Sequence, residues 1–128
     1  MITELISVGT EILLGNIVNT NSAYLSEKCA QLGLGLYYQT VVGDNPERMK
    51  QVIRTALDRS YVIILTGGLG PTEDDLTKEI TAEVMGFELV EDLHSRELME
   101  EYLKQNKKNN PQRRITKNNY KQAMVPKG

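Results

Sequence analysis

Thr66-Gly67-Gly68-Leu69-Gly70-Pro71-Thr72-Glu73-Asp74-Asp75-Leu76-Thr77 is the stretch whose reading decides the fold. It follows an unbroken apolar run, Tyr61 to Leu65, and precedes apolar residues at helical spacing, Leu76, Ile80 and Val84. A buried strand therefore ends in glycines, and a helix begins among acids. Glycine lets a backbone approach a ligand closely and adopt positive φ. Free N–H groups at a helix start favour anions such as phosphate. Neighbouring carboxylates suit a hard cation such as Mg²⁺, which takes a few carboxylates together with phosphate oxygens. The stretch reads as a site for a phosphorylated ligand with a metal. The competing reading is a tight strand-to-helix turn, in which Thr72 and Asp75 form a capping box and Asp74 eases the helix dipole.

Outward from this loop the chain alternates. Strands are expected at Glu4 to Val8, Leu36 to Val42 and Tyr61 to Leu65, and a short one at Phe87 to Val90. Helices are expected at Asn19 to Leu32, capped by Asn19 or Asn21 and stopped by Gly33, and from Asn45-Pro46-Glu47 through Leu57. Others follow from Leu76 to Gly86, from Asp92 to about Gln105, and from Ile115 to Ala123, with a polar break over Asn106 to Pro111. Alternation of this kind predicts an α/β domain, doubly wound in three layers around a mainly parallel sheet. Ligands in such sheets bind beyond the carboxyl ends of the strands, where the strand order reverses. With order 2-1-3 the loops Gly9 to Asn21 and Thr66 to Asp75 would meet there. The first loop offers Glu11 as a metal ligand or base, and Asn19, Thr20, Asn21 and Ser22 as hydrogen-bonding groups. Its plainer reading is a turn, an apolar plug and an Asn-capped helix.

Length and composition narrow the class. The 128 residues suit one domain with its own core, and 40% hydrophobic with 25% charged residues is ordinary for a globular chain. No apolar run approaches the roughly 20 residues of a membrane span. One cysteine, Cys29, allows no internal disulfide, and a cytoplasmic location is expected. The net charge of −2 hides an asymmetry: Lys104 to Lys127 holds eight basic residues and no acid. That tract lacks aromatic interleaving apart from Tyr120, so neither nucleic acid nor membrane is expected as a partner. No glycine pattern matches Walker A or the dinucleotide fingerprint, and no Cys/His cluster suits zinc.

Gly9-Thr10-Glu11-Ile12-Leu13-Leu14-Gly15 with Asn19-Thr20-Asn21, followed by Thr66 to Thr72 and Asp74-Asp75-Leu76-Thr77, resembles the N-terminal domain of the CinA (competence/damage-inducible) proteins. That domain belongs to the molybdopterin-binding, or molybdenum-cofactor-biosynthesis, superfamily. The resemblance covers essentially the whole chain. It implies a nucleotide or pterin over the glycine loop, a homo-oligomer, and hydrolysis of ADP-ribose dependent on a divalent cation. An adenylylating or purely binding role related to molybdopterin is the alternative it leaves. On this footing Asp75, Asp74 and Glu11 are the catalytic candidates, with Asp75 and Glu11 as metal ligands. Thr66, Gly67, Gly68, Gly70, Thr72, Asn19, Asn21 and Lys121 are the candidate substrate-binding residues. Asp75-Leu76-Thr77 falls on the Asp-Val-Thr of the adenylylating members, but Asp74 falls on their Arg, and Leu69 on a frequent Thr. Both departures weaken an adenylylating role. The family usually continues into another strand and a second glycine loop, so the chain reads as an incomplete copy of the domain without the C-terminal amidohydrolase domain of many CinA proteins.

Overall fold

The computed structural model describes residues 1–110 and 117–128. Although the sequence reads as one domain, the described chain divides into two compact units, Met1–Gly68 and Leu69–Gly128.

The first unit holds three parallel strands, β1 (Ile2–Val8), β2 (Gly35–Val42) and β3 (Val62–Thr66), in the order β2-β1-β3. This is the 2-1-3 order that the sequence reading took as a condition. A four-residue helix, α1 (Thr10–Leu13), and a longer one, α2 (Thr20–Gln31), connect β1 to β2, and α3 (Pro46–Arg59) connects β2 to β3. The chain steps outward from β1 to β2 and then back across β1 to β3. Right-handed crossovers therefore put α2 and α3 on opposite faces. The alternation of side chains along β1 agrees. Ser7 meets Asn19 at the start of α2, while Glu4 meets Arg59 at the end of α3. As the central strand, β1 is buried on both faces from Thr3 to Val8.

Local chemistry explains the helix limits. Asn19 Oδ1 accepts from Ser22 N, and Asn45 Oδ1 accepts from Arg48 N, with Pro46 in the first turn of α3. Each bond satisfies one N–H that a helix start leaves open. On α3 Met49, Ile53 and Ala56 are buried, as their spacing predicts, but Leu57 is 41% exposed. On α2 Cys29 is buried and Leu25 half-buried, while Leu32 ends the helix in solvent. β3, read from the sequence as a buried strand, is half-buried throughout, as the edge of this three-stranded sheet.

The second unit holds α4 (Thr77–Met85), β4 (Leu89–Glu91), α5 (Leu93–Asn109), α6 (Lys117–Tyr120), a 3-10 turn (Lys121–Ala123) and β5 (Met124–Pro126). Gly86, at φ 74, stops α4 as expected. β4 and β5 pair antiparallel, Val90 opposite Val125. β5 was not foreseen, because three residues are too short to show a period. α5 continues through the expected break as far as Asn109; Asn and Lys lower helix propensity too little to end a helix already under way. The expected helix over Ile115 to Ala123 survives as α6 and the 3-10 turn, with Ile115 and Thr116 outside the described residues. Among the described residues no helix is long and apolar enough to cross a membrane.

Candidate functional site

In the first unit the carboxyl ends of β1 and β3 lie side by side, Ser7 paired with Thr66. At this edge Gly67 and Gly68 take φ of 84° and 65°, a region that favours glycine. A Cβ on Gly67 would run into the Val8 carbonyl, so only glycine lets the two strand ends approach this closely. Glu11 is exposed on α1, and its carboxylate folds back over Gly9: a Cβ there would stand 2.7 Å from Glu11 Oε1. Asn19 uses both ends of its side chain, capping α2 and donating to Ser7 Oγ at 2.9 Å, which moors that helix to β1. Asn21 is exposed as the second residue of that helix. Asp44, from the loop after β2, accepts from the Thr10 amide and hydroxyl, while its own amide donates to Thr10 Oγ1. This pair ties two loops of the edge together across 34 residues. Nothing in the sequence around Asp44 announces its partner.

In the second unit the loop before α4 is organised around Asp75. Its Oδ2 accepts from the Thr72 hydroxyl at 2.6 Å and the Thr72 amide at 3.0 Å. The Gly70 backbone bonds the same carboxylate. The Thr72 hydroxyl, joined by both backbone donors and the nearby Lys121 ammonium, outweighs partial burial and holds the Asp75 carboxyl below its usual range. This corrects the capping-box reading. Thr72 and Asp75 do pair, but in the turn ahead of the helix: α4 starts at Thr77, its N-cap is Leu76, and no side chain caps it. The loop thus closes on itself before the helix begins. Asp74 is exposed.

Lys121, expected among the ligand-binding residues, stands behind the same loop. Its Nζ donates to the Thr72 carbonyl at 2.8 Å and to the Asp75 carbonyl. Gln122 Nε2 reaches the Leu69 carbonyl at 3.5 Å, and Lys78 Nζ donates to the Lys121 carbonyl at 2.7 Å. Burial pushes the Lys78 ammonium below its usual pKa against the pull of Glu79, and Lys121 adds to the depression. Lys78 escaped the sequence reading because its partner is a main-chain carbonyl 43 residues away.

The donor set decides what metal would fit. Among the described residues no three His, Cys, Asp or Glu side chains gather as a protein-only cage would require. One or two carboxylates are enough for Mg²⁺ when phosphate oxygens and water complete its shell.

Comparison with known proteins places these features. A family model described as a probable molybdopterin binding domain matches residues 4–125. A putative competence-damage inducible protein of Bacillus cereus is 51% identical over 128 residues, all of this chain and 30% of that protein. Its counterpart in Bacillus subtilis is 50% identical over 125 residues, 98% of this chain and 29% of that one. The chain thus spans under a third of the length of these curated relatives. Among solved structures, the CinA protein of Thermoplasma acidophilum, of unknown function, is similar with a TM-score of 0.77 and 34% identity, over 98% of this chain and 70% of that one. The molybdopterin biosynthesis enzyme MoaB of Thermus thermophilus is similar with a TM-score of 0.61 and 26% identity, over 77% of this chain and 61% of that one.

Proposed function

Because the chain belongs to the probable molybdopterin binding domain family, and within it to the CinA proteins, we propose that its Leu69–Asp75 loop receives the phosphates of a pterin- or nucleotide-like small molecule. The supporting observation is that Gly70 and Thr72 already hold an anion, the Asp75 carboxylate, with N–H and O–H donors. Donors that gather one anionic group suit another, and backbone amides need no reorganisation to do so. Thr66, Gly67, Gly68, Asn19 and Asn21 are the first unit's proposed ligand-binding groups.

The finer reading is divalent-cation-dependent hydrolysis of a nucleotide diphosphate such as ADP-ribose, by the longer protein of which relatives of this kind are examples. Asp75 and Asp74 would hold the cation. Such a cation neutralises charge developing on the phosphoryl oxygens and lowers the pKa of bound water. The amides of Gly70 and Thr72 would orient the diphosphate. The test is ADP-ribose turnover with Mg²⁺ by a full-length protein and by its Asp75→Asn variant. Turnover lost in the variant is the expected result; no turnover in the parent, or none lost in the variant, rejects hydrolysis.

A second reading is a binding module without turnover. It is favoured by the Asp75 carboxylate, whose Oδ2 is committed to Thr72. Calorimetry with AMP and molybdopterin separates the two: binding without hydrolysis supports the module, and binding of neither removes it.

A further inference from the structure

Three peptide planes of the loop are gripped from one side. The Leu69 carbonyl accepts from Gln122, and the Thr72 and Asp75 carbonyls accept from Lys121. In a trans peptide the C=O and the following N–H lie in one plane and point opposite ways, and no cis peptide occurs here. Holding the Leu69 carbonyl therefore aims the Gly70 amide away from Gln122. Holding the Thr72 and Asp75 carbonyls likewise aims the Glu73 and Leu76 amides away from Lys121. The gripping segment is itself anchored. Ala123 is fully buried, its carbonyl accepts from Asp92 N at 2.8 Å, and Lys78 holds the Lys121 carbonyl. The ammonium also polarises the two peptides it holds, which strengthens their N–H groups as donors.

We propose that Lys121 and Gln122 are positioning residues, a strap that presents the Gly70, Glu73 and Leu76 amides to an anionic ligand while the Lys121 ammonium stays behind the loop and does not touch the phosphate. This deepens the phosphate-binding reading of the loop and rests on it. It assigns the lysine a role different from the direct phosphate contact that its charge suggests in the sequence.

The experiment compares the parent chain with Lys121→Met, Lys121→Arg and Gln122→Ala. The first readout is amide hydrogen exchange without ligand, and the second is calorimetric affinity for ADP-ribose, AMP and inorganic pyrophosphate. Lys121→Met should speed exchange at the Thr72 and Asp75 amides, which are hydrogen-bonded within the loop, by about tenfold or more, because local opening sets the rate there, and leave the β1 and α5 amides unchanged. Affinity should fall in parallel. Lys121→Arg, whose guanidinium also donates to more than one acceptor, should restore much of both. Gln122→Ala should affect Gly70 most. Unchanged loop exchange with lost affinity means direct phosphate contact and overturns the strap. Faster exchange spread evenly over α5 means general destabilisation and overturns it too. Should Lys121→Met fail to fold, the Gln122→Ala pattern at Gly70 decides. A parent that binds none of the three probes defeats the ligand class, while loop-restricted exchange still supports the strap.

Discussion

The Asp75 carboxylate takes two bonds from Thr72, the hydroxyl at 2.6 Å and the amide at 3.0 Å, and so closes the glycine–acid loop before α4 begins. Those bonds favour the ionised carboxylate, the stronger acceptor. The Thr72 hydroxyl leads the influences that hold the Asp75 carboxyl below its usual range when folded. A depressed folded pKa contributes stability above the unfolded value, about 3.9, and that contribution disappears as pH falls through the folded value. The Thr72 amide shift should therefore be flat from neutral pH downward and move only below the ordinary carboxylate range. Movement near pH 4 or above in NMR titration would contradict the bond.

Gly67 should resist substitution more than Gly15 does. Both have positive φ, 84° and 76°, but a Cβ on Gly67 meets the Val8 carbonyl, whereas one on Gly15 meets nothing within 4 Å. Gly67→Ala should lower stability by on the order of 1–3 kcal/mol or more, and Gly15→Ala by the smaller cost of left-handed backbone alone. Denaturant unfolding of the two variants measures the difference; equal losses would show that the close approach is unimportant.

Glu4 is fully buried and held by Arg59 Nε and Nη2 at 3.1 and 2.6 Å and by Ser60 Oγ at 2.9 Å. Arg59 also lies 3.6 Å from the centre of the Tyr38 ring. Burial pushes the Glu4 carboxyl up, but these bonds outweigh it and leave the net shift downward. Its contribution is thus present at neutral pH and lost on acidification through the folded value. Arg59→Met strands a buried carboxylate, so it should lower the thermal midpoint sharply, and adding Glu4→Gln should recover part of the loss. Purely additive midpoints would reject the coupling.

Glu11→Gln should raise the Mg²⁺ concentration needed for half-maximal ADP-ribose hydrolysis by a full-length protein, with activity recovering at saturating Mg²⁺. This follows from the family resemblance, which makes Glu11 a metal-ligand candidate. An unchanged Mg²⁺ dependence would remove Glu11 as a metal ligand.

A homo-oligomer, dimer or trimer, is expected to involve the region from Asp92 onward. Leu98 and Tyr102 stand one turn apart on α5 and are 54% and 63% exposed. Light scattering at tens of micromolar should show more than one copy per particle, and Leu98→Glu should reduce it. A monomeric parent ends this expectation.

Sequence alone determined the features with a local cause. The period of α3, the Asn19 and Asn45 caps, the Gly86 stop and the alternation of elements all follow from bonds and spacing within a few residues, whereas the 2-1-3 order came from the folded sheet. The glycine–acid loop was legible because glycine and acid types stand together in the chain. What the loop does with them was legible only in part. The Thr72–Asp75 pairing was legible, though not its place ahead of the helix; Asp44 pairing with Thr10 and Lys121 gripping carbonyls 46 and 49 residues away were decided by tertiary structure. A side chain that bonds a distant main-chain carbonyl leaves no pattern around itself, because every residue supplies such a carbonyl. Only the closed fold selects which one it meets.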